Sequence, residues 1–252
     1  MKDKAAILFE NETIIAIYKP PGLLSVPDRY IEERPSAAHW LLTDYPTARP
    51  LHRLDFETSG VILFCIIPDA FSWYSDQFEN RTISKKYIAI VEGRMQKDED
   101  TIDQPLFTQS NGKVIISKRG KPSQTHVKVL ERFKHHTSVE VNPLTGRTHQ
   151  IRVHLSSIGH PIIGDEIYGS SGPLFLSMIK GRKKYHLSKD AETEHPLLSR
   201  TALHASKITF NDFLSQEDIT IESPLPKDMK VSLMKLRQYA AVASKSPGDI
   251  AE

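Results

Sequence analysis

Asp55 stands just before Phe56-Glu57-Thr58-Ser59-Gly60 and a run of seven apolar residues, Val61 to Ile67. A carboxylate on a loop held by buried sheet is mounted as catalytic groups usually are. An aspartate beside a turn is equally a turn-former or a cap. The second concentration of chemistry is Thr145-Gly146-Arg147-Thr148-His149-Gln150-Ile151-Arg152. It gathers a glycine, two arginines, a histidine and a glutamine around a helix start, where free backbone N–H groups favour a phosphate. On a helix His149 and Arg152 share a face. These residues alone fit either a phosphate or carboxylate site or a solvated helix start.

Other chemistries fit the residues poorly. A haloacid-dehalogenase-like hydrolase wants Asp-x-Asp-x-Thr, but Asp55-Phe56-Glu57-Thr58 has Glu for the second Asp and Thr one place early. Among 11 histidines, His149 and His154 are five apart and poorly placed to converge on one metal ion. No Gly-rich nucleotide loop is present. Cys65 is the only cysteine, which excludes an internal disulfide and a multi-cysteine metal site.

Residues 13–18 predict a strand, closed by the turn Lys19-Pro20-Pro21-Gly22. A short helix is expected over 36–45, and Val61 to Ile67 predicts a buried central strand. Pro68-Asp69 offers a helix start with Asp69 as N-cap, and Phe71, Tyr74 and Phe78 give that helix one apolar face. Further strands are expected at 86–91, 125–131, 138–141, 203–210 and 218–222. Thr148 to Ile158 reads better as a helix than as a strand, with Thr148 as N-cap and Gly159 just past its end. His135-His136 reads as a solvated strand edge. Residues 170–200 read as a polar loop or insertion, 231–243 as an amphipathic helix, and 244–252 as a loose tail. This mix predicts an α+β fold with a mixed, mainly antiparallel sheet and flanking helices.

The chain has 252 residues, 39% hydrophobic and 25% charged, as in an ordinary globular protein. Its net charge is only +2, so any nucleic-acid binding has to come from local clustering. No stretch approaches the roughly 20 apolar residues of a membrane span, and the N-terminus lacks the apolar core of a signal peptide. A cytoplasmic monomer without membrane contact is the expectation.

His52-Arg53-Leu54-Asp55-Phe56-Glu57-Thr58-Ser59-Gly60 resembles the signature of the RluA-type pseudouridine synthases. Lys19-Pro20-Pro21-Gly22-Leu23 resembles their N-terminal motif and Lys85-Lys86-Tyr87 their tyrosine motif. Gly146 to Leu155, Gly159-His160-Pro161-Ile162 and Gly164-Asp165 with Tyr168-Gly169 resemble their second long signature. The resemblance implies a pseudouridine synthase fold with a central RNA-binding cleft, in a single catalytic domain over 1–243. It implies an isomerase acting on uridines of structured RNA. Asp55 would be the nucleophile, Tyr87 the tyrosine that packs on the base and can take a proton, and Arg152 the partner whose planar fork orients Asp55. Arg53 would fill the space left by the flipped base. His52, Arg147, His149 and Gln150 would line the RNA side of the site.

Reactant and product share atoms and redox state, so no cofactor, metal or nucleotide is required. Many relatives begin with an S4 RNA-binding domain, for which there is no room before Glu12. The wording around Gly22 to Pro27, Asp44-Tyr45-Pro46 and Gly120 to Thr125 is nearest to members without it, which modify 23S ribosomal RNA and the anticodon stem-loop of some tRNAs. The basic run Lys180, Arg182, Lys183, Lys184 is a solvated loop or an RNA contact. Two other classes remain: a catalytically silent RNA-binding or ribosome-assembly factor, against which the intact Asp55, Tyr87 and Arg152 argue, and a nucleosidase, against which the arginine-lined helix start argues.

Overall fold

The computed structural model describes residues 4–28, 31, 33–181, 185 and 193–242. Arg182, Lys183 and Lys184 of the basic run, and the tail from Ser244, lie outside them. A ten-stranded sheet carries the fold. Its strands are β1 (Ala6–Glu10), β2 (Ile14–Lys19), β3 (Arg49–Pro50), β4 (Ser59–Cys65), β5 (Ser84–Glu92), β6 (Glu99–Asp103), β9 (Gln124–Arg132), β10 (His136–Pro143), β11 (Leu203–Asn211) and β12 (Asp218–Glu222). The hairpin β7 (Leu106–Thr108) and β8 (Val114–Ile116) stands apart. Among the described residues five α-helices accompany them: α1 (Ala37–Leu42), α2 (Phe71–Glu79), α3 (Gln150–Ser157), α4 (Leu176–Lys180) and α5 (Lys227–Ala240).

The main path runs β1-β2-β4-β11-β5-β10-β9-β6, with β12 beside β11 and β3 beside β4. Every pairing along it is antiparallel except β4 with β11, where His204 faces Ser59 and Ala205 faces Gly60. Gly60 is required there: its φ is +123°, and a Cβ would run into the Ala205 backbone. β4 is buried at all seven positions; it starts two residues before the expected strand Val61 to Ile67 and holds only Val61 to Cys65 of that apolar run. Two hydrophobic cores lie along the sheet, one towards each end of its strand order. One gathers β2, β4, α1 and α2; the other gathers β5, β10, α3 and α5, and Tyr87 packs against both.

Several expectations are corrected. Pro68–Ala70 is a 3-10 turn that runs into α2, whose N-cap is Ala70, so Asp69 caps nothing. α3 starts after His149, not Thr148. His136 is buried inside β10 rather than at a solvated edge. The segment 170–200 contains α4 and a Leu174–Leu198 bridge, with Leu174, Ile179 and Leu198 buried, so it is not simply a polar loop. The last helix is Lys227–Ala240. β1, β3 and β6 to β8 were not expected. Among the described residues no helix is long and apolar enough to cross a membrane.

Candidate active site

The Asp55 loop is pinned at almost every residue but its carboxylate. Leu54 donates its N–H to Ser25 Oγ, which in turn donates to the Leu54 carbonyl. The Phe56 carbonyl accepts from Gly22 N–H at 2.9 Å and from Lys19 Nζ at 3.2 Å. Lys19 is fully buried and also donates to the carbonyls of Pro20 and Leu23, so the Pro-Gly turn and the Asp55 loop form one body. Burial, with Arg200 adding to it, lowers the Lys19 ammonium to about 7. Glu57 accepts from the N–H and hydroxyl of Thr201, and its carbonyl from Arg200 Nη1, while Arg200 forks onto Asp228 of α5. Thr58 closes the turn by donating to the Asp55 carbonyl.

The facing group is the start of α3. His149 caps it in the left-handed region, φ 53°, without a side-chain cap bond. Such a φ is uncommon for a non-glycine residue and costs about 1 kcal/mol or more. Gln150 supports this turn. Its Oε1 accepts from Thr145 Oγ1 and Arg147 N–H, and its Nε2 donates to the Gln124 carbonyl and Thr125 Oγ1. All four of its hydrogen-bonding positions are taken, so Gln150 braces the site.

Arg152 brings the two halves together, but its fork does not go to Asp55. Nε and Nη2 each meet Asp165 at 2.7 Å, while Nη1 makes a single 3.3 Å contact with Asp55 Oδ2. Burial pushes the Asp165 carboxyl up, yet the Arg152 bonds and charge and the N–H groups of Tyr168 and Ile167 outweigh it and hold it below the usual range. His149 Nε2 lies 3.8 Å from Asp55 Oδ2, and its Nδ1 lies 3.0 Å from the Tyr168 hydroxyl. That hydroxyl also accepts from Val114 N–H, which fixes its place beside the imidazole. Burial lowers the His149 imidazole against the pull of Asp55.

These groups open into a cleft of about 790 Å³. Tyr87 lines it, its phenol pushed up by burial and then by Asp55, so the hydroxyl stays protonated at neutral pH. Arg53 and Arg147 line it as well. His52 faces it too, but Nε2 accepts from Leu63 N–H, the ring packs 5.1 Å from Phe78, and burial lowers it to about 3. It is a neutral structural ring rather than a cation for phosphate. The sequence reading missed Phe78, Arg81, Arg200 and Asp228 as parts of this region. Only the apolar face of α2 hinted at Phe78.

The sequence profile described as RNA pseudouridylate synthase matches residues 13–157. Ribosomal large subunit pseudouridine synthase D of Nitrosomonas europaea is 34% identical over 245 residues, covering 92% of this chain, and this chain spans 65% of that relative's length. Dual-specificity RNA pseudouridine synthase RluA of Escherichia coli is 39% identical over 168 residues, 65% of this chain and 77% of the relative. The structure of human RNA pseudouridylate synthase domain containing 4 superposes with a TM-score of 0.70 at 25% identity, covering 92% of each chain. The chain belongs to the RNA pseudouridylate synthase family.

Proposed function

We propose that the protein isomerises specific uridines in structured RNA, with Asp55 as the nucleophile, and that its substrates are stem-loops of 23S ribosomal RNA, of tRNA anticodon arms, or both. The observation that supports this reading is a carboxylate that takes a single hydrogen bond, from Arg152, in a loop otherwise immobilised, on a cleft rich in arginine. Asp55 attacks C1′, or removes the C2′ proton, and the C1′–N1 bond breaks. The freed uracil turns within the cleft beside Tyr87, and C5 bonds to C1′, displacing the Asp55 carboxylate on the first route or, on the second, with C2′ regaining the proton that Asp55 had taken. C5 then gives up its proton and N1 gains one, so atoms and redox state balance. Tyr87 packs on the ring, and Arg152 keeps Asp55 in place. Arg53, exposed and two residues from Asp55, fills the space vacated by the flipped base. All these groups come from one chain, which suits action as a monomer.

The names of the two bacterial relatives favour ribosomal RNA and a second RNA substrate. A stacked uridine cannot reach Asp55, so it must leave the helix or loop. That costs a few kcal/mol, offset by phosphate contacts and stacking. Pseudouridine mapping after incubation of the purified protein with bulk RNA tests the reaction. Matched 23S and anticodon-arm hairpins, set against a scrambled linear RNA of equal length, test the substrate. Arg53→Ala is expected to slow the hairpins more than the same uridine in linear RNA. Equal rates on linear RNA and both hairpins would overturn the loop-shape reading.

A further inference from the structure

Lys85 belongs to the tyrosine motif but has no part in the chemistry above. Strand alternation decides where it goes: Lys85 and Tyr87 share the cleft face of β5, while Lys86 points the other way and pairs with Glu140 at 2.9 Å. Lys85 is half-buried, with its ammonium 5.9 Å from the Phe78 ring centroid. Among the described residues no carboxylate pairs with it, and burial lowers its pKa. A desolvated ammonium without a counter-charge is costly.

A second cation nearby is also incompletely satisfied. Arg147 Nε is buried without a hydrogen-bond partner, although its backbone N–H is held by Gln150. Gly146, next to Arg147 in the chain, adjoins the ammonium: a Cβ there would lie 3.7 Å from Lys85 Nζ, in ordinary contact. We propose that Lys85, Arg147 and the Gly146 backbone form a phosphate subsite that grips the RNA backbone next to the uridine facing Tyr87. A phosphate places a negative charge against both cations, Lys85 and Arg147, which line the same cleft. A uracil carbonyl would leave both charges uncompensated.

This inference rests on the RNA-modifying reading, and its test separates the two. Binding of a labelled hairpin to the whole protein is measured across a salt series, apart from turnover. Lys85→Gln is expected to weaken binding about 5- to 30-fold and to reduce the slope of log affinity against log salt by about 1. Lys85→Arg should keep both within a few-fold, which excludes misfolding as the cause. Lys86→Gln removes the same charge from the other face and should leave both unchanged. Neutral methylphosphonates placed singly along the hairpin should reveal one position that weakens the wild type but not Lys85→Gln. An unchanged slope, an equal loss in Lys86→Gln, or the absence of any such position would overturn the subsite. A Lys85-dependent slope without pseudouridine formation would sink the catalytic reading alone.

Discussion

Asp165 and Asp55 share one guanidinium on unequal terms. Asp165 is fully buried and takes the Arg152 fork through two 2.7 Å bonds. Asp55 keeps a quarter of its side chain exposed and receives one bond at 3.3 Å. The inner pair sets where Arg152 sits. The outer pair leaves most of the Asp55 lone pairs free, which a nucleophile needs and a structural carboxylate does not. The halves of the site also differ in parentage, since Leu54 is packed in one core and Ile151 and Leu155 in the other.

The sharpest way to break the comparison is at Asp55. Asp55→Asn is expected to abolish pseudouridine formation, read as tritium release from C5-labelled uridine, while RNA affinity stays within a few-fold. Turnover near wild type would end the nucleophile assignment. Next comes Arg152→Lys. A lysine is a point charge that cannot fork onto Asp165 and still reach Asp55. Losing a well-placed pair costs about 2–5 kcal/mol, about 30- to 4,000-fold in rate if it all acts in the transition state. A drop under about threefold would show that Arg152 does not orient Asp55.

Asp165→Asn leaves the Arg152 charge buried without its main partner. It should cost about 3 kcal/mol of stability by denaturant melts, whereas Asp55→Asn should cost little, and equal losses would erase the inner-versus-outer distinction. The Asp165 carboxyl is held low in the folded state, so its stabilisation is present above about pH 3.9 and is lost as pH falls through the folded value. The acid limb of the stability curve should therefore flatten in Asp165→Asn. The smallest effect is expected from Tyr168→Phe. It removes one partner each from His149 and Val114, worth about 1 kcal/mol. A few-fold loss of turnover would accompany it if His149 steadies Asp55; unchanged turnover would make that histidine a bystander.

Much of this was legible in the chain. The apolar run Val61 to Ile67 announced β4 two residues late, and the motifs singled out Asp55, Tyr87 and Arg152, which the fold brings to one cleft. What the motifs could not convey was which carboxylate the arginine fork would meet. Asp165 lies 13 residues further on, and only the turn after α3 brings it back. The start of α3 was misplaced by one residue because Thr148 is the better capping residue in isolation, while the Gln150 bonds hold His149 in the left-handed region. The Arg200–Asp228 fork behind Glu57 was invisible because its members are separated by 28 residues and its neighbours by over 140. β6 to β8 were missed because they are short and half-exposed, and owe their pairing to neighbours rather than to their own pattern.

The place of β11 between β4 and β5 has a consequence for synthesis. β4 and β5 are near neighbours along the chain, yet the strand that separates them begins at Leu203, after most of the polypeptide has left the ribosome. Until then both present unpaired edges, and joining them directly would close a compact but incorrect sheet. Long-range pairing of this kind slows folding. The nascent chain should therefore be most prone to aggregation, and most dependent on chaperones, in the interval between completing β5 and releasing β11.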